Sequence, residues 1–125
     1  MESKHSLIKS FRFAFSGLKT AVIKGRNFRI QILLGLLSVI LGAIFKISSF
    51  EWLSLILIIA SVLILELMNT AIEEIVNIVS PQIQERAKIA KDVSAGAVLV
   101  ASIAAIFIGI LLFAHRIIFV PKIIH

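Results

Sequence analysis

Glu66, Asn69 and Glu73 lie in the stretch ELMNTAIEEIVNIVS. Their spacing of i, i+3 and i+7 places all three on one face of a helix. A carboxylate, an amide and a second carboxylate in one stripe are groups that phosphoryl transfer uses. Glu66 follows SLILIIASVLIL without a break, so its carboxylate falls inside or at the rim of hydrocarbon, where an ionisable group is costly and by default functional. A carboxylate there is suited to take a proton from a hydroxyl. Glu73 and Asn69 offer hard oxygens for Mg²⁺, which keeps few protein contacts and shares its substrate's phosphates. Lys91 and Asp92 stand directly before the next apolar run, and Lys91 can neutralise charge on a transferred phosphoryl group.

The stripe carries other readings. Glu66 and Lys91 also suit an interhelical ion pair that fixes a bundle. A polar stripe on a membrane helix could also line a pore in an oligomer, although this one occupies a single membrane face. The motifs of several common chemistries are absent: the chain has no Gly-x-x-x-x-Gly-Lys-[Ser/Thr] loop, no Gly-rich kinase loop, no Ser-His-Asp set and no His-Glu-x-x-His. It has no cysteine, which excludes disulfides and thiolate metal sites.

The elements that must position these groups are membrane helices. At 59% hydrophobic residues over 125 positions and a mean hydropathy of +1.06, the chain is too apolar for an ordinary soluble fold. It reads as one domain, residues 1–125. Spans are expected over about 30–47, 50–72 and 93–115, each close to the ~20 apolar residues that cross a bilayer. The helix of the second span continues to Val79, about 45 Å at ~1.5 Å per residue, and so carries the stripe beyond the hydrocarbon. Ser49 is the expected N-cap of that helix, Glu51 is expected in solvent, and Ser80 and Pro81 end it.

Before the first span, residues 6–24 place Leu7, Phe11, Phe15, Leu18 and Val22 near helical spacing, with Lys9, Arg12 and Lys19 elsewhere. This is an amphipathic helix too charged to span, expected on the membrane surface. Gly25 to Arg29 is expected as a turn, with Arg26 and Arg29 anchoring head groups. No secretory signal peptide is read at the N-terminus.

The net charge of +6 does not indicate nucleic acid. Lys4, Lys9, Arg12, Lys19, Lys24, Arg26 and Arg29 precede the first span, and Arg86, Lys88 and Lys91 lie between the second and third. The positive-inside rule then puts the N-terminus and the second loop in the cytoplasm and the C-terminus outside. The basic groups there also suit lipid head groups and nucleotide phosphates.

Glu66-Leu-Met-Asn69-Thr-Ala-Ile-Glu73, followed by Ala87-Lys88-Ile-Ala-Lys91-Asp92-Val-Ser-Ala-Gly-Ala-Val, resembles the signature of the prokaryotic diacylglycerol kinase family, which includes the undecaprenol kinases. Arg26-Asn27-Phe28-Arg29 resembles that family's entrance to the first span. The resemblance implies an all-α integral membrane kinase of the bacterial inner membrane, with a surface helix and three transmembrane helices in a homotrimeric bundle whose active sites are shared between subunits. Its substrates would be MgATP and a membrane lipid hydroxyl, on diacylglycerol or undecaprenol, with the style of Arg-Asn-Phe-Arg leaning to undecaprenol. By the family pattern Glu66 is the general base, Glu73 binds the metal, and Asn69, Lys91 and Asp92 serve the nucleotide, with Lys9 a further candidate on the nucleotide side. The chain departs from the pattern at Gly25, where the family's second metal-binding glutamate stands, at Asn77 in place of an aspartate, and at Gln84 in place of a histidine. Gly25 leaves a second reading open, a membrane protein that keeps the kinase fold without its activity.

Overall fold

The computed structural model describes residues 2–80 and 84–123, with side chains over 6–80 and 84–119. Pro81 lies outside the described residues. The order is α1 (Glu2–Lys24), α2 (Arg26–Ile44), α3 (Ser49–Val79) and α4 (Glu85–Ile123), an all-α arrangement in which α2, α3 and α4 are long and apolar enough to cross a membrane. α3 packs along α4 and against α2, while α1 lies mainly on α2. Within α1, Ala21 is buried, whereas Leu7, Phe11 and Phe15 remain exposed.

The corner between α1 and α2 is tighter than the expected turn. Gly25 alone interrupts the helices, and its N–H still donates to Ala21 O at 2.8 Å. A helix end leaves its last carbonyls unpaired. Arg29 answers that need, because its Nη1 donates to both Val22 O and Ile23 O at 2.8 Å. Arg29 is therefore a cap for α1, a role the sequence did not suggest.

The opposite corner is closed by chain chemistry that the sequence reading misplaced by one residue. Lys46, just past α2, takes a left-handed φ of 50°, the usual way a helix C-terminus turns. Ser48, not Ser49, caps α3. Its hydroxyl accepts from Glu51 N at 3.2 Å and Glu51 Oε1 accepts from Ser48 N at 3.2 Å, a reciprocal capping box. Glu51 is not solvated as expected. Its carboxylate takes both arms of the Arg116 guanidinium, at 2.7 and 2.9 Å, and the two side chains are only 25% and 22% exposed. Arg116 reaches across from α4 because Glu51 already occupies the start of α3.

The apolar core sits at this same end. Ile47, Leu55, Leu112 and Phe113 are buried together, with Leu41, Phe45, Trp52, Ile59 and Ile108 packed on them. The rings of Phe45 and Phe113 lie 6.3 Å apart, within the range of a favourable aromatic pair. Gly42 lets α2 approach here, since a Cβ at that position would stand 2.9 Å from the Trp52 ring and 3.0 Å from Ile47 Cδ1. The helices are thus clamped at the end bearing the α2–α3 corner. Toward the polar stripe a cleft lies between α2, α3 and α4.

Candidate active site

Glu66 is 6% exposed and lines the cleft. The cavity measures about 320 Å³ and is shared by Asn27, Ile30 and Gln31 of α2, Glu66 of α3, and Ala95, Val98, Leu99 and Ser102 of α4. Glu66 reaches it because α3 continues unbroken past the apolar run. Its own backbone carbonyl accepts from Thr70 Oγ1 at 3.0 Å.

One turn further on, Asn69 Nδ2 donates to Glu73 Oε1 at 3.2 Å. That bond orients the amide and leaves Asn69 Oδ1 buried without a hydrogen-bond partner. A buried carbonyl oxygen left unpaired costs roughly 1–3 kcal/mol, so it invites a ligand that supplies positive charge. The same face of α3 continues to Asn77, four residues beyond Glu73. Asn77 Oδ1 accepts from Lys91 Nζ at 2.6 Å, tying α4 to the stripe. Lys91 is therefore brought to this face through Asn77. It does not form the interhelical pair with Glu66 that the spacing allows.

The remaining expected residues lie apart. Asp92 is engaged along its own helix by Lys88, at 2.7 Å and exposed. Lys9 is exposed on α1. Among the described residues no cluster of three or more His, Cys, Asp or Glu side chains could hold a metal unaided. Glu73 with the unpartnered Asn69 Oδ1 is an all-oxygen pair, which fits an ion of the Mg²⁺ type that completes its shell with phosphate and water.

Gln31 and Ser102 belong to the cleft and were not expected there. Gln31 Nε2 donates to Ser102 Oγ at 3.5 Å, linking α2 to α4. In the sequence Gln31 reads as the edge of a span and Ser102 as one of many small packing residues. The available signal was that both are polar inside apolar segments.

These features define a membrane-helix protein with a buried carboxylate and an Asn–Glu pair along one face of α3, to which a lysine of α4 is tied. Residues 12–113 match the family described as prokaryotic diacylglycerol kinase, and the chain belongs to that family. It is 41% identical over 105 residues to a diacylglycerol kinase of Synechocystis, covering 83% of this chain and 60% of that protein's length. It is 35% identical over 108 residues to the undecaprenol kinase of Bacillus subtilis, covering 86% of this chain and 88% of that one. To the diacylglycerol kinase of Escherichia coli K12 it is 32% identical over 110 residues, 87% of this chain and 90% of that one.

Proposed function

We propose that this protein is a lipid kinase of the bacterial inner membrane that moves the γ-phosphate of ATP to the hydroxyl of a membrane lipid. Undecaprenol and diacylglycerol are the two acceptors considered, with undecaprenol favoured. The observation that carries the reading is Glu66, a carboxylate buried in a membrane-helix cleft on the same helix as the Asn69–Glu73 pair and the Asn77 that holds Lys91.

In this reading Glu66 takes the proton of the lipid hydroxyl. The hydroxyl oxygen forms a bond to the γ-phosphorus as the bond from that phosphorus to the bridging oxygen of ADP breaks, and ADP leaves with the electron pair. The proton on Glu66 then passes to water. Lys91, held by Asn77, balances charge on the phosphoryl oxygens, while Asp92 and Lys9 lie on the nucleotide side. Mg²⁺ would be held by Glu73 and Asn69 Oδ1, and when bound it neutralises phosphate charge. Residues 1–125 act as one kinase domain, with α1 on the membrane surface, the N-terminus cytoplasmic and the C-terminus outside. The protein assembles as a homotrimer whose subunits share active sites.

The test is a panel of candidate lipids, diacylglycerol and undecaprenol included, offered to purified protein in mixed micelles with γ-³²P-ATP and Mg²⁺. Label should enter a lipid. Absence of labelled lipid across the panel would reject the activity.

Gly25 sustains the second reading, a non-catalytic protein of the same fold. A Cβ built there would stand 2.6 Å from Ala21 O and 3.1 Å from Phe28 Cβ, so this corner does not admit a side chain without shifting. Gly25→Glu is accordingly a strained substitution. The two readings separate on the unmodified chain, because only the kinase labels lipid.

A further inference from the structure

Glu66 and Ser94 are the two buried polar residues among the described ones, at 6% and 8% exposed. The proposed mechanism uses the carboxylate and leaves the serine idle. A serine or threonine inside a helix often returns its hydroxyl proton to the carbonyl four residues back, and Ser38, Ser54, Ser61 and Thr70 do so at 2.7–3.2 Å. Ser94 does not, and its hydroxyl has no hydrogen-bond partner among the described residues.

Its place on α4 indicates a use. Ser94 stands three residues after Lys91, on the same side of the helix and about 4.5 Å further along its axis. Four residues beyond Ser94, Val98 lines the cleft with Glu66. Lys91 meets Asn77 while Val98 shares a wall with Glu66, so α4 runs back along α3. The stretch of α3 level with Ser94 therefore falls between Asn77 and Glu66, where Glu73 and the buried, unpartnered Asn69 Oδ1 stand. At this level α4 contributes hydrogen-bond donors, Lys91 and Ser94, and α3 contributes oxygens. Among the described residues Ala95, and not Ser94, lines the Glu66 cleft.

We propose that Ser94 is a further catalytic residue, whose hydroxyl donates a hydrogen bond to an oxygen of the phosphoryl group as it passes from ATP to the acceptor. This rests on the lipid-kinase reading. The proton stays on the serine throughout, so the bonds made and broken are those of the transfer itself. Negative charge in transit is spread over the three phosphoryl oxygens that are not in line with the transfer. A donor already in place for that charge lowers the barrier more than it tightens either substrate. Lys91 acts there as a point charge, and the Ser94 hydroxyl adds a directed donor one turn closer to Glu66. Donors on α4 suit the anion, as the oxygens of α3 suit the cation.

The experiment compares wild type and Ser94→Ala as full chains in detergent micelles, with thermal melting to match the folded protein. It measures initial rates with ATP and with diacylglycerol or undecaprenol varied, and calorimetric affinity for MgADP with and without aluminium fluoride, a stand-in for the phosphoryl group in transit. Ser94→Ala should lower kcat about tenfold, the size of one hydrogen bond made in the transition state, and leave both KM values in place. Its affinity for MgADP alone should be unchanged, and the tightening by aluminium fluoride should shrink by about tenfold. Unchanged kcat and unchanged tightening would overturn the proposal and make Ser94 a packing residue. A raised Mg²⁺ midpoint with kcat kept at saturating Mg²⁺ would overturn it by giving the hydroxyl to the metal, and a raised acceptor KM with kcat kept would overturn it by giving the hydroxyl to the lipid. Tightening by aluminium fluoride that depends on Ser94, with no lipid labelled by the wild type, would sustain the phosphoryl contact and reject the lipid-kinase reading.

Discussion

Asn69 and Lys91 are each held by one neighbour. Glu73 takes an amide N–H of Asn69 and leaves Oδ1 buried without a hydrogen-bond partner, and the proposed reading gives these two residues the cation. Glu73→Gln should raise the Mg²⁺ concentration for half-maximal lipid phosphorylation by at least tenfold. A magnesium titration checks this, and an unchanged midpoint would remove Glu73 from the metal. Asn77 holds Lys91 at 2.6 Å without neutralising it. Asn77→Ala should raise the KM for ATP a few-fold and leave the acceptor KM in place, as read from initial rates with each substrate varied. At this scale the sequence revealed the residue types well, since Glu66, Asn69 and Glu73 share a face by spacing alone. It did not reveal partners set by the approach of different helices. Gln31 with Ser102, Lys91 with Asn77 and Arg29 on the α1 carbonyls all depend on tertiary placement.

The apolar cluster lies at the end bearing the α2–α3 corner, and the cleft beside Glu66 lies toward the other end. Gly42 sits where α2 meets Trp52 and Ile47, closer than any added side chain tolerates. Gly42→Leu should destabilise the bundle by ~1–3 kcal/mol as an overpacked contact, less what leucine regains in helix propensity, and thermal melting in detergent reads the loss. The Glu51–Arg116 pair ties α3 to α4 at the same end through two short bonds. Glu51→Ala and Arg116→Ala should each lower the melting temperature, and the double variant should lose less than the sum of the two, because the bonds shared by the pair can be lost only once. Additive losses would show that the pair contributes nothing as a pair. The helix order was legible because long apolar runs have few alternatives in a membrane. Two details escaped it. Serines stand at both 48 and 49, and only the geometry of the corner selects Ser48. Glu51 looked solvated because its partner is 65 residues away in the chain.

For the whole molecule, the apolar cluster and the cleft have complementary roles. Apolar packing around Leu55, Leu112 and Phe113 holds the helices so that the cleft can open beside Glu66 without loss of the fold. Much apolar surface on α2, α3 and α4 remains exposed, to be covered by lipid and by the other subunits of the proposed trimer. Family membership places this architecture among the prokaryotic diacylglycerol kinases, and the cleft beside Glu66 is the site we propose for the reaction. The central claim is that a lipid hydroxyl meets the γ-phosphate at Glu66. It is tested most directly by comparing wild type and Glu66→Gln for ³²P transfer from ATP to lipid, at matched folded protein and saturating Mg²⁺. The account predicts labelled lipid from the wild type and a loss of at least ~100-fold in Glu66→Gln, the lower bound for removal of a general base. Equal labelling by the two proteins would contradict it.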